Sequence, residues 1–199
     1  MKIDVKSALK LTYYLMAVDG DISKIEEETF DAIGNELDSS FQKYKIDIIN
    51  ECKNQLNKAI DEDDFYEVVK EGVEDILKKF ITSNSNGFYN DLSYDISNFF
   101  QIGIAKSTLI WNLLSVAMGD GKYSKEERNL IKFIVRKLDI DKSIYLELEN
   151  KMKTLESIDN EEKWIKTVSK PYNVVDKQIK ELSNRRETII KSLKVLIND

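Results

Sequence analysis

A stretch of 24 residues beginning at Leu15 returns 101 positions later without a gap. The first copy reads LMAVDGDISKIEEETFDAIGNELD, and the second, from Val116, reads VAMGDGKYSKEERNLIKFIVRKLD. Asp19-Gly20 matches Asp120-Gly121, Ser23-Lys24 matches Ser124-Lys125, Glu26 matches Glu127, and Leu37-Asp38 matches Leu138-Asp139. Apolar positions agree too, Phe30 with Ile131 and Ile33 with Ile134. Agreement in both kinds of position implies one structural unit used twice. Two such units are expected to fold against one another as halves of a single core.

The local physics of each copy describes a helix–turn–helix corner. Gly20 and Gly121 allow a left-handed backbone where the preceding helix ends. Asp19 and Asp120 can accept from free backbone donors in the turn. Ser23 with Glu26, and Ser124 with Glu127, have the spacing of a capping box, in which serine and glutamate side chains each bond the other's backbone N–H.

The rest of the chain has the helical period. Apolar residues recur at steps of three and four, and strict alternation is rare. One proline and seven glycines in 199 residues leave few breaks, which favours long helices. The pattern predicts an all-α helical bundle with helices near 4–18 (capped by Asp4), 24–38, 41–60 and 64–81. Further helices are expected near 105–118, 125–138, 142–153, 158–169 and, after a break at Pro171, 174–197. The acidic run 61–64 reads as a cap, Thr82 to Gly87 as a loop, and the aromatic piece 92–100 as a short helix. Residues 1–153 are expected to form one helical domain with a long central helical pair at about 39–100, and residues 154–199 a C-terminal helical extension.

Several function classes are disfavoured by composition. The chain has no histidine, so it lacks the usual general base near neutral pH and the commonest transition-metal ligand. Its single cysteine, Cys52, sits in an amphipathic run and reads as a small buried apolar residue. No apolar stretch reaches the ~20 residues that span a bilayer, and the first residues carry no apolar signal core, so a cytoplasmic location is expected. Residues 1–100 carry 11 basic and 21 acidic side chains, and residues 101–199 carry 19 and 15. An acidic first half opposes wrapping a nucleic acid, while the mildly basic second half leaves room for an acidic partner.

The paired motifs admit a second reading, as a cation site. Asp-Gly-x-Ile/Tyr-Ser-x-x-Glu equals the second half of a calcium-binding EF-hand loop. The first half is missing, because Leu15, Ala17, Val116 and Met118 stand where oxygen ligands would be needed. Carboxylates from the two copies could nevertheless meet across a pseudo-twofold axis. Asp19, Asp21, Glu26, Asp120 and Glu127 would then offer hard oxygen ligands suited to Ca²⁺ or Mg²⁺. Lys122 stands in the second copy where Asp21 stands in the first.

Two Asp-Gly-x-x-Ser-x-x-Glu motifs, each between helices, resemble the hallmark of the TerB-like (tellurite-resistance) family, and Leu138-Asp139-Ile140-Asp141 resembles that family's usual ending. The likeness covers about 8–38 and 106–153. It implies an all-helical fold with internal pseudo-symmetry, acidic metal-binding residues, membrane-associated complexes reached through a partner, and roles in chemical-stress or phage resistance.

The last helix carries a stripe, Val175, Ile179, Leu182, Arg186, Ile189, Leu193 and Leu196, at alternating steps of four and three. That spacing suits packing against another helix, either within the chain or in a partner or homodimer. Three functions follow: a non-enzymatic TerB-like interaction module that takes a divalent cation, a structural adaptor acting through the C-terminal helix without metal, or a hydrolase. The hydrolase would use Glu26 and Glu127 or a metal-activated water. Capping favours ionised glutamates, which opposes a general acid. Trp111 reads as core or rim, while the less apolar segment around Trp164 leaves a surface role open beside the buried one.

Overall fold

The computed structural model describes residues 2–59, 62–85 and 103–198. Strand β1 (Lys2–Asp4) leads into helices α1 (Val5–Ala17), α2 (Lys24–Leu37), α3 (Lys45–Leu56) and α4 (Glu62–Ser85). Strand β2 (Gly103–Ala105) leads into α5 (Lys106–Ala117), α6 (Lys125–Lys137), α7 (Lys142–Thr167) and α8 (Tyr172–Asn198). The architecture is therefore all-α, with one small two-stranded ribbon among the described residues.

That ribbon shows how the halves are related. Its antiparallel register pairs Lys2 with Ala105, Ile3 with Ile104, and Asp4 with Gly103. Ile3 thus faces the residue 101 positions on, its own equivalent, as a twofold axis through that pair requires. The helices obey the same relation. Helices α1 and α5 pack on each other, α2 packs across onto α5, and α1 across onto α6. Helix α4 lies on α1 and α3 as α8 lies on α5 and α7. Among the described elements the same packing relation recurs well beyond the 24 residues in which the repeat is written.

Position in the centre explains the composition of α1 and α5. A helix covered on every side must be apolar on every side. Leu11, Tyr13 and Tyr14 of α1 are buried along with Leu9, Leu15 and Met16, so the burial is wider than the single stripe of the periodicity. The buried Thr12 hydroxyl, Oγ1, donates to the Ala8 carbonyl at 2.9 Å. As expected, Asp4 caps α1, its Oδ1 accepting from Ser7 N–H at 2.9 Å.

Four expectations need correction. The helix expected over 41–60 is a 3-10 turn at Phe41–Lys43 followed by α3, because Phe41 is driven into the core against the bare face of Gly34. Of the loop expected over Thr82 to Gly87, Thr82–Ser85 instead continue α4, with Thr82 Oγ1 donating back to Lys78 O at 2.8 Å, and 86–87 lie outside the described residues. The helices expected at 142–153 and 158–169 are one helix, α7. Thr154 and Ser157 do not interrupt it, because Leu155 and Ile158 continue its inward face beneath α8. The boundary drawn at 153/154 consequently falls inside a helix. The end of α8 is tied back to the core, with Ser107 Oγ donating to Ile197 O at 3.1 Å and Leu193 buried. The capping role expected of the acidic run 61–64, and the helix expected at 92–100, fall on groups outside the described residues.

Candidate functional site

The two corners share one conformation down to single hydrogen bonds. Gly20 and Gly121 take φ of +87° and +80°. Asp19 Oδ1 accepts from Asp21 N–H at 3.2 Å, and Asp120 Oδ1 accepts from Lys122 N–H at 2.8 Å. Ser23 N–H donates to Glu26 Oε2 at 2.7 Å, and Ser124 N–H donates to Glu127 Oε2 at 2.7 Å. The return bonds, Glu26 N–H to Ser23 Oγ and Glu127 N–H to Ser124 Oγ, measure 3.2 and 3.1 Å. Both capping boxes are complete.

The boxes turn both glutamates inward. Glu26 is 5% exposed and Glu127 2%. Burial raises the Glu26 carboxyl above its ordinary value, the Ser23 bonds oppose this, and Asp120 and Asp19 add to the rise. Burial likewise pushes Glu127 up to about 7, against the bonds from Ser124 and with help from the Asp19 and Glu26 charges. The expectation that capping would keep these carboxyls in their ordinary ionised range therefore gives way to desolvation.

The other buried carboxylate, Glu149, has Lys153 Nζ at 3.2 Å and Arg128 Nε at 3.9 Å. Glu26 and Glu127 have no cationic side chain paired with them among the described residues. Of the five carboxylates predicted from sequence, Asp120 and Asp19 act on Glu26, and Asp19 and Glu26 act on Glu127. Asp21 is exposed and does not figure in that interaction. As the side chains stand, no three Asp, Glu or Cys groups among the described residues converge as a ligand set for a metal ion. No family model matches the sequence, and neither a curated protein nor a solved structure matches the chain.

The C-terminal stripe is occupied within the chain. Val175, Ile179, Leu182 and Ile189 pack on Ile158 and Ile165 of α7, and Leu193 joins the main core. Arg186, which interrupts the stripe, pairs with Asp159 across the helix pair. Leu182 and Leu193 are thus buried within the chain, while Val175, Ile179, Arg186 and Ile189 are half-buried against it. Trp164 is 58% exposed, the less favoured of its two readings, and Trp111 is half-buried at the rim. Cys52 is buried, and desolvation pushes its thiol up to about 12, which makes it inert.

One feature went unforeseen. Lys132, Phe133 and Arg136 of α6 share a groove with Tyr66 and Lys70 of α4 and with Lys142 at the start of α7. The i, i+4 pair Lys132 and Arg136 is legible in the sequence. Their convergence with two other helices is not, since it depends on how α4 and α7 dock.

Proposed function

We propose that the protein is a non-enzymatic interaction module of the TerB-like kind, working in the cytoplasm within a bacterial stress-response or phage-defence assembly. In this reading the acidic ground between its corners attracts a divalent cation. The observation that supports it is the pair of buried glutamates, Glu26 and Glu127, which have no ion pair among the described residues, with Asp19 and Asp120 beside them. Negative charge gathered in a poorly solvated place is relieved by a proton or by a cation. Ca²⁺ and Mg²⁺ prefer carboxylate and carbonyl oxygens, and the two aspartates at the turns could move to complete a shell that the resting side chains do not form.

The test is titration of the protein with Ca²⁺ and with Mg²⁺ at pH 8, followed by calorimetry and by amide chemical shifts. Shifts centred on residues 19–27 and 120–128, lost in the Asp19→Asn, Asp120→Asn double variant, would support the cation. Silence at millimolar ion would remove it.

A structural adaptor without metal is the second reading, and one observation favours it. With the stripe used internally, Trp164, Tyr172 and Val174 remain exposed at the turn between α7 and α8. Light scattering of the wild type and of a Trp164→Glu, Tyr172→Glu variant addresses it. A dimer that the variant abolishes would support this reading, and a monomer at all concentrations would weigh against self-association there.

A further inference from the structure

A groove of 710 Å³ opens between α4, α6 and the first turn of α7. Its lining brings together four cationic side chains, Lys70, Lys132, Arg136 and Lys142, and among the described residues no carboxylate. Lys70 is held by Glu67 on its own helix at 2.8 Å. Arg136 turns its Nε toward the Lys132 carbonyl at 3.3 Å. Lys132, Arg136 and Lys142 make no ion pair among the described residues. In a chain of formal charge −6 this is a local concentration of cationic side chains, with Glu67, Glu74 and Glu126 near the Tyr66 and Lys70 side of the groove, and a concavity with low-dielectric walls strengthens the field of the charges that line it. The walls include the ring of Tyr66 and the apolar side chains of Ile140 and Leu146.

The duplication supplies an internal control. The positions 101 residues before Lys132, Phe133, Arg136 and Lys142 are Asp31, Ala32, Asn35 and Phe41. There the fold is closed and neutralised, with Phe41 fully buried against Gly34 and Lys45 Nζ donating to Asp31 Oδ2 at 2.7 Å. The backbone explains the difference. The first half lays its 3-10 turn over α2, whereas in the second half Asp139 adopts φ of +51° and turns the chain directly into α7. One scaffold has thus been left open, and lined with cations, in one of its two copies.

We propose that this groove binds a nucleoside polyphosphate, with the phosphates against Lys132, Arg136 and Lys142 and the base against Tyr66 and the apolar wall. Guanidinium and ammonium groups together suit a phosphate chain, the former by its planar donor fork and the latter as point charges. A flat ring beside the cations suits a base, because any base offers a face for stacking. The volume falls in the ~300–1,000 Å³ range of small-molecule sites. The negative charge of the chain as a whole disfavours a polymeric nucleic acid over a single small nucleotide. This site is separate from the acidic corners and does not rest on the function proposed for them.

Calorimetry with ATP in low salt, without divalent cation, tests it, with inorganic tripolyphosphate as the companion probe. Submillimolar binding of ATP is expected, at least about tenfold tighter than tripolyphosphate. The Lys132→Glu, Arg136→Glu double variant should weaken it about 100-fold, tenfold for each charge-assisted hydrogen bond removed. Both residues are exposed, so this variant should fold, and its far-ultraviolet circular dichroism checks that. A Lys177→Glu, Lys194→Glu variant on α8 should bind as the wild type does. If ATP does not bind at millimolar concentration, or binds the two double variants equally, the site is refuted. If tripolyphosphate binds as tightly as ATP, the assignment to a nucleoside ligand is refuted.

Discussion

Replacing Glu127 by glutamine isolates the electrostatic cost of the corner. Glutamine keeps an oxygen for the Ser124 N–H, and the capping box accepts either residue. It removes the charge that Asp19 and Glu26 oppose. In the folded protein the Glu127 carboxyl titrates at about 7, above its ordinary 4.5, so the fold holds that proton more tightly than the unfolded chain does. The proton's contribution to stability is therefore complete below about 4.5 and is lost as pH rises through 7. At ~1.4 kcal/mol per pH unit the interval corresponds to roughly 3 kcal/mol. Loss of a charged cap at the helix start offsets ~0.3–1 kcal/mol of this. At pH 8 the Glu127→Gln variant should be more stable than the wild type by ~1–3 kcal/mol, a rise in Tm of about 2–4 °C per kcal/mol for a chain of this size. At pH 5 the two proteins should nearly coincide. Urea unfolding of both proteins at pH 5 and pH 8 measures the difference directly. A variant less stable than the wild type at pH 8, or a gap unchanged between the two pH values, would show that burial does not govern this carboxyl.

Other expectations concern the scaffold. Gly20→Ala and Gly121→Ala each force a side chain into a left-handed turn and should each cost ~1–2 kcal/mol by chemical denaturation; a large inequality would contradict the equivalence of the corners. Gly34→Ala sets a methyl group into the Phe41 ring and should cost ~1–3 kcal/mol, with a Phe41→Leu partner substitution recovering part of it. Leu182→Ala removes a buried side chain from between α7 and α8 and should cost ~2–5 kcal/mol. Hydrogen exchange should then accelerate over 158–190 before it does in α1 and α5, and uniform acceleration would mean that the small cluster is not a separate unit.

The sequence made some of this plain and hid the rest for identifiable reasons. Both corners could be read because their chemistry is local: a glycine for the turn, a serine for the cap and a glutamate three residues later. Helix identities followed from periodicity. Helix ends and continuity were less legible where tertiary packing decides them. Phe41 holds back the start of α3 because Gly34 offers it a bed seven positions earlier, and α7 runs on through 154–157 because α8 covers it. The extent of the duplication was obscured for a similar reason. In α3 and α7, and again in α4 and α8, equivalent places are filled by different side chains, so the kinship survives in packing after it has faded from the letters. At the corners, sequence named the carboxylates but misjudged their ionisation, since burial on the far side of the turn leaves no mark in the motif.

Strand β1 has its mate in β2, a hundred residues further along the chain. During synthesis the first half thus emerges with an unmatched edge, and with a helix, α1, whose coverings by α5 and α6 do not yet exist. It must wait for the second half to arrive before it can close. The same arrangement makes the molecule resemble a dimer whose two subunits share one polypeptide, so that neither copy has been obliged to keep a surface able to recognise itself, and each has been free to diverge.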